Sequence, residues 1–318
     1  MIIQILLLVL GLGLLIISAS WLVNGASGLA KKYSVPDLAI GLTIVAYGTS
    51  APELVVNLIA TISNHHDIVF GNVLGSNNFN LFIILGIAAM ITPLKVQTST
   101  VWKEIPISFV AILMFFVLSN DFLNADRQVL SRIDGFILLL MFLFFQLYVY
   151  NQVKSDRSQF VPAGELMPSG KIILLIVVGL AGLVLGGGLV VNNAVMMAKD
   201  LGVSEKIIGL TIIAAGTSLP ELATSVVAAV KKNADIAVGN IIGSNIFNIF
   251  LISGVSAVVS PVEYNKVFNG DFYMLSLGTI MLFVMMFTSK KENLDRWEAG
   301  LLFLIYAGYT VFLISKEI

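Results

Sequence analysis

GLTIVAYGTSAPEL, running from Gly41 to Leu54, returns 168 positions later as GLTIIAAGTSLPEL, Gly209 to Leu222. Each copy sets one Glu and one Pro inside a stretch otherwise apolar enough to lie in a bilayer. A carboxylate at membrane depth costs roughly 2.5–3.5 kcal/mol on insertion scales, so it is rarely incidental. Two of them at matched positions of a repeat point to one cation site built from both halves.

The offset holds well beyond that segment. GNVLGSNNFN (Gly71 to Asn80) returns as GNIIGSNIFN (Gly239 to Asn248), Asp67-Ile68 as Asp235-Ile236, Pro93 as Pro261 and Gly11 as Gly179. Over residues 40–53 and 67–80, 20 of 28 positions are identical to their mates, without an insertion. That is an internal duplication.

Of 318 residues, 58% are hydrophobic and 12% charged, with mean hydropathy +0.96. Soluble domains carry about 25% charged residues. The chain therefore reads as a polytopic membrane protein. It lacks the basic stripe that nucleic acid requires. It has no Cys, which excludes disulfides, thiolate metal sites and Cys nucleophiles. Ser18-Ala19-Ser20 could pass for a signal-peptidase site, but no basic region precedes it. The first apolar run is therefore retained as a helix.

Apolar runs of about 20 residues predict ten transmembrane helices: 3–30, 36–63, 68–93, 103–120, 133–152, 170–198, 204–230, 236–261, 271–288 and 296–315. The fold class is an all-α membrane protein of two five-helix repeats, residues 1–152 and 170–318. A polar cytoplasmic connector, 153–169, joins them. Five spans per half is an odd number, so the second copy must enter from the opposite face, as an inverted repeat. With the connector inside, 12 Lys and Arg lie in the cytoplasm and 6 outside, as the positive-inside rule prefers. Both termini then face outward.

The chemistry gathers where the second and seventh predicted helices must break. Pro52 has no N–H for the carbonyl of Gly48, and Pro220 repeats the device opposite Gly216. Carbonyls of Ala46 to Gly48 and Ala214 to Gly216 are expected to leave the ladder, which is tolerated at membrane depth only beside a cavity or protein interior. Thr49, Ser50 and Glu53 flank the first break; Thr217, Ser218 and Glu221 flank the second. Ser76 and Asn80 share a face of the third predicted helix, as Ser244 and Asn248 do on the eighth. All of these offer hard oxygen ligands suited to Ca²⁺ and Na⁺. Gly71, Gly75, Gly239 and Gly243 permit close helix approach, so the second, third, seventh and eighth helices should form the core.

A lone Pro in a membrane helix is most often a kink, and a helical Ser or Thr most often bonds its own backbone. Joint duplication of both motifs favours a site over those readings. His65 and His66 have no counterparts in the second copy and read as a solvated turn. Asp67 and Asp235 each precede an apolar run and suit helix N-caps. Trp21 and the eight tyrosines read as packing or interface anchors.

The paired motifs resemble the α-repeats of the cation/calcium exchanger superfamily, in its sodium/calcium exchanger branch. The resemblance covers nearly the whole chain. The Gly-Asn-x-x-Glu pattern typical of the proton/calcium branch is absent. The resemblance implies Glu53 and Glu221 as central Ca²⁺ and Na⁺ ligands, with backbone and hydroxyl oxygens from Thr49 and Thr217. It implies flanking Na⁺ sites completed by the Ala46 and Ala214 carbonyls with Ser50, Ser218, Ser76 and Ser244. Asn80 and Asn248 would support the middle of the site. It also implies that the first and sixth helices slide as a pair over the other eight, given smooth faces by Gly11, Gly13 and the glycines of Gly179 to Gly188. Some potassium-dependent relatives have Asp where this chain has Asn248, so K⁺ cotransport is not expected.

Together these readings give an electrogenic Na⁺/Ca²⁺ antiporter working by alternating access. No cofactor is expected beyond the transported ions, and the bilayer is the expected partner, with no obligatory protein partner. The expected location is the plasma membrane, of prokaryotic inner-membrane type. A proton/cation exchanger is the alternative, with Glu53 and Glu221 carrying protons. A cation channel would show currents without countertransport. An intramembrane enzyme is disfavoured because no nucleophile–base pair is evident.

Overall fold

The computed structural model describes residues 2–120, 128–156, 166–200, 214–288 and 291–317. Among these the fold is almost wholly helical. Helix α1 (Ile2–Tyr33) is 32 residues of Leu, Ile, Val and small residues, uncharged until Lys31 and Lys32 in its last turn, where cations suit the helix dipole. It runs unbroken through Ser18 and Ala19, both fully buried. Ser34 then takes a left-handed φ of 53°, and the Val35 N–H closes onto the Ala30 carbonyl at 2.9 Å before Pro36 stops the helix.

Next come α2 (Asp37–Thr49) and α3 (Ala51–Ile62), bent by 47° across Ser50. Helix α4 (His66–Ile91) follows, then α5 (Thr100–Asn120) and α6 (Arg132–Asp156). The second half supplies α7 (Ser169–Asp200), the short α8 (Ala214–Gly216) and α9 (Leu219–Val230). It continues with α10 (Ala234–Val259), α11 (Asn269–Met285) and α12 (Arg296–Glu317). The expected helix over 204–230 is thus seen only from Ala214, since 201–213 lie outside the described residues, as do 157–165 of the connector. Among the described residues, seven helices are long and apolar enough to cross a membrane, or eight with α2 and α3 as one bent span.

Two strand pairs modify the all-α expectation. Leu94–Lys95 (β1) pairs antiparallel with Asn293–Leu294 (β4), and Val129–Leu130 (β2) with Val262–Glu263 (β3). Each ladder ties a linker of one half to a linker of the other.

Burial separates core from periphery. The apolar windows of α10 and α4 are 83% and 67% buried, against 22% for α1 and α6 and 33% for α7. Helices α2, α3, α4, α9 and α10 therefore surround the centre, as expected, and the long outer helices turn Leu, Ile and Val outward. Helices α2 and α10 touch through glycine: a Cβ on Gly239 would meet the Leu38 carbonyl at 2.9 Å, and one on Gly243 the Leu42 Cα at 2.8 Å. The equivalent neighbours of Gly71 and Gly75 fall in 201–213, outside the described residues.

Several glycines of α1 and α7 face the other helix of the pair. A Cβ on Gly179 would lie 2.8 Å from the Leu22 nitrogen and 3.0 Å from the Ser18 carbonyl, and one on Gly11 would lie 3.0 Å from the Gly186 carbonyl. They let α1 and α7 meet backbone to backbone and join them into a pair. Gly13 and Gly188 are different: a Cβ there would meet nothing within 4 Å among the described residues. The pair is also tethered to the core. Lys231, just past α9, donates to the Ser20 carbonyl (3.0 Å), the Ser20 hydroxyl (2.7 Å) and Asn24 Oδ1 (2.8 Å) on α1.

The helix starts correct one expectation. Asp67 and Asp235 are not N-caps but second residues of their helices, in the first turn, where a carboxylate also suits the dipole. The N-cap of α10 is Asn233, whose side-chain oxygen accepts from the Ile236 N–H at 3.0 Å. His65 precedes α4 and His66 opens it, so only His65 lies in the turn.

Overpacking of a close contact costs about 1–3 kcal/mol. Gly179→Leu should therefore lower the melting temperature of the detergent-purified protein, while Gly188→Leu should leave it near the parent value. Equal melting of the two variants would contradict the pairing role.

Candidate cation-binding site

The two breaks meet at the centre of the molecule. The chain leaves the helical region at Ser50 (φ −85°, ψ 7°) and at Ser218 (φ −88°, ψ 7°), and each time a new helix begins with Pro in its first turn. Pro is tolerated there because first-turn N–H groups have no intrahelical acceptor. Glu53 and Glu221 then fall in the first turns of α3 and α9, where the helix N-terminus favours negative charge. A π-helical turn at 41–45 precedes the first break, and others occupy 79–84 and 248–252 of α4 and α10. Such turns displace backbone groups from the regular ladder and recur at functional sites.

The expectation for the carbonyls needs correction. The Ala46 oxygen stays in the ladder, accepting from the Ser50 N–H at 3.0 Å. The reason is that Pro52 removes only the bond to Gly48, so the break opens two residues later. Ala46 keeps one carbonyl lone pair for other use. Ala214 belongs to the three-residue α8 ahead of the second break. Glycine precedes each break for a packing reason: a Cβ at Gly48 would lie 2.3 Å from Leu180 Cδ2, and at Gly216 2.3 Å from Val191 Cγ2, both on α7.

The halves interlock through serine and glutamate. Ser50 donates to Glu221 Oε1 at 2.8 Å, and Ser218 donates to Glu53 Oε1 at 3.3 Å. Glu53 and Glu221 are 1% and 0% exposed. The second carboxylate oxygen of each, Oε2, has no hydrogen-bond partner in the protein. Neither do Asn80 Oδ1, Asn248 Oδ1 or Ser244 Oγ, all on buried residues. Buried polar atoms are almost always paired. Five of the unpartnered buried oxygens thus belong to residues of the two repeated motifs.

The hydroxyls have their protons directed elsewhere. Thr49 Oγ1 faces three acceptors, Asn240 Oδ1 (3.0 Å), Val45 O (3.1 Å) and Ala46 O (3.3 Å), so its proton is committed and its lone pairs are left over. Thr217 donates to Asn72 Oδ1 at 3.4 Å. Ser76 donates to the Asn72 carbonyl at 2.6 Å. The sequence-derived residues Glu53, Glu221, Thr49, Thr217, Ser50, Ser218, Ser76, Ser244, Asn80 and Asn248 are thus joined in one network or placed beside it. Among the described residues no group of three or more His, Cys, Asp or Glu is gathered.

Sequence reasoning missed the asparagines that brace this network. Asn240 donates to the Glu221 carbonyl (3.4 Å) and the Ser225 hydroxyl (2.9 Å) while accepting from Thr49 of the other half. Asn72 does the same with the Glu53 carbonyl (3.3 Å), Asn57 (2.6 Å) and Thr217. The duplicated Gly-Asn of both motifs was the available signal.

A family model described as sodium/calcium exchanger protein matches residues 3–151 and 171–315. The chain is 36% identical over 315 residues to the putative antiporter CaxA of Alkalimonas amylolytica, covering 96% of this chain and 97% of that one. It is 31% identical to the sodium/calcium exchanger MaX1 of Methanosarcina acetivorans, covering 97% of each. A solved structure of the sodium-calcium exchanger NCX_Mj, soaked with Na⁺ and Sr²⁺, superposes with a TM-score of 0.82 at 29% identity over 98% of both chains. A membrane-embedded cation antiporter, and not an enzyme, is the class that this fold and site define. The chain belongs to the sodium/calcium exchanger protein family.

Leaving a buried polar group without its partner costs about 1–3 kcal/mol. Asn240→Ala should therefore lower the melting temperature in ion-free buffer, and by more than Asn72→Ala, whose bond from the opposing threonine is longer. The reverse order in a thermal melt would contradict the bracing assignment.

Proposed function

We propose that the protein exchanges Na⁺ for Ca²⁺ across the membrane by alternating access, with Glu53 and Glu221 as the central ligands. The observation that carries this reading is the crossed pair of Ser–Glu bonds: each carboxylate is held by the other half, with one oxygen of each left unpartnered. The relatives named for Na⁺ and Ca²⁺ exchange support the choice of ions. Thr49, Thr217, Ser50, Ser218, Ser76, Ser244, Asn80, Asn248 and the carbonyls of Ala46 and Ala214 complete the ligand set. One oxygen cage cannot hold both sets of ions at once, and this mutual exclusion couples their fluxes.

Two carboxylates carry charge −2, matched by one Ca²⁺ or two Na⁺. A third Na⁺ would move net charge, and one charge is worth about 2.3 kcal/mol per 100 mV. A negative interior would then help extrude Ca²⁺. Asn248 contributes no charge, which speaks against K⁺ cotransport.

The proposal takes residues 1–152 and 170–318 as inverted five-helix repeats of ten spans, with broken second and seventh helices and 153–169 as a cytoplasmic connector. It places the protein in the plasma membrane with both termini outside. Support comes from crossing pairs that recur 168 positions apart. The tether from Lys231 to Ser20 and Asn24 supports a state shut on the connector side. The equivalents of Lys231 and Ser20 are Ser63 and Gly188, and a Cβ on Gly188 would meet nothing within 4 Å among the described residues.

In proteoliposomes, an imposed Na⁺ gradient should drive ⁴⁵Ca²⁺ movement, and Glu53→Gln or Glu221→Gln should abolish it. A valinomycin-clamped potential should change the rate, and K⁺ replacement should not. Flux driven by a pH gradient without Na⁺ would overturn the reading in favour of proton exchange, and full activity in both Gln variants would overturn the ligand assignment.

A further inference from the structure

Two asparagines of the repeated Gly-Ser-Asn triplet, Asn77 and Asn245, lie beside Asn80 and Asn248 and touch each other. They are 0% and 4% exposed. Asn77 Nδ2 donates to the Asn245 carbonyl at 3.2 Å, and Asn245 Nδ2 donates to the Asn77 carbonyl at 3.3 Å. A backbone carbonyl can only accept, so each contact decides which end of the amide is nitrogen. The oxygen of each amide must therefore point the other way.

Those oxygens meet the ligand asparagines, again across the halves. Asn77 Oδ1 accepts from Asn248 Nδ2 at 3.0 Å, and Asn245 Oδ1 accepts from Asn80 Nδ2 at 3.1 Å. An acceptor facing Asn248 and Asn80 forces their NH₂ groups inward to the protein. Their own oxygens are then left over, and neither Asn248 Oδ1 nor Asn80 Oδ1 has a hydrogen-bond partner. A carboxamide turned over would present two N–H donors to a cation and repel it. For Asn248 the Ser76 hydroxyl reinforces the choice, accepting from Nδ2 at 3.0 Å because its own proton goes to the Asn72 carbonyl.

We propose that Asn77 and Asn245 are positioning residues that lock Asn248 and Asn80, respectively, with carbonyl oxygens toward the cation. Two facing backbone carbonyls set the whole four-amide arrangement. The inference deepens the cation site proposed above and rests on it.

The test uses a carboxylate, whose two oxygens are equivalent and need no orienting. Equilibrium ⁴⁵Ca²⁺ binding is measured on the purified full chain. The parent protein should bind, and Asn77→Leu should bind roughly tenfold more weakly, the scale for losing a partner that supports a metal ligand. In an Asn248→Asp background the Asn77→Leu change should lose most of its effect, and in an Asn80→Asp background it should keep it. The pattern should cross over for Asn245→Leu. If the Leu variants do not fold, Asn77→Ser and Asn245→Ser, too short to reach either partner, take their place. Equal weakening in every background would show a merely structural role and overturn the relay, leaving the site reading intact. No Ca²⁺ binding by the parent protein would instead overturn the site reading, and the relay with it.

Discussion

Everything in this molecule is arranged around holding two carboxyl groups away from water. Each glutamate has one oxygen fixed by a serine of the opposite half and one left open. An isolated buried carboxylate is so costly that it ordinarily takes up a proton instead. Here the cost is offset by two local features. The first turn of a new helix lies beneath each acid, and a hydroxyl proton is aimed at it. Because each serine belongs to the other break, neither half can make the site alone, and separating the halves would open it.

That arrangement constrains the chain around it. A helix must end and restart at each serine, which is why Pro follows within two residues and Gly precedes by two. The Gly positions also leave room for Leu180 and Val191 of α7, so the helix pair outside the core rests directly on both breaks. Helices α1 and α7 meet so closely through glycine that movement of one without the other would separate packed backbone. Lys231 ties that pair to the core through Ser20 and Asn24.

The asparagines show how polar groups at membrane depth acquire direction. Ser and Thr hydroxyls can rotate, and an amide can turn over, so oxygen-rich composition alone does not make a cation site. In this protein the donors of Thr49, Ser50, Ser76, Asn80, Ser218 and Asn248 are committed to a carbonyl, an amide oxygen or a carboxylate. The duplication means that each such commitment is made twice, with small differences where the halves diverge, as in Asn57 against Ser225 beside the bracing asparagines.

The sequence by itself determined the membrane class, the duplication, the two breaks and the identities of the acids. These are properties of composition, spacing and the missing N–H of proline, which need no knowledge of neighbours. It placed most helix boundaries within a few residues and named the serines and glutamates that the structure joins across the halves. It misread Asp67 and Asp235 as caps, because a side chain at the start of a helix can serve the dipole from inside the first turn as well as from the cap. It did not show that Gly11 and Gly179 face the opposite helix of the α1–α7 pair, because periodicity cannot say which helix a small residue faces. Only the tertiary structure decided that Ser50 binds Glu221 while Ser218 binds Glu53, and which end of each amide looks inward. Those facts depend on which atoms from residues about 170 positions apart come within hydrogen-bonding distance, and spacing along a chain carries no record of that.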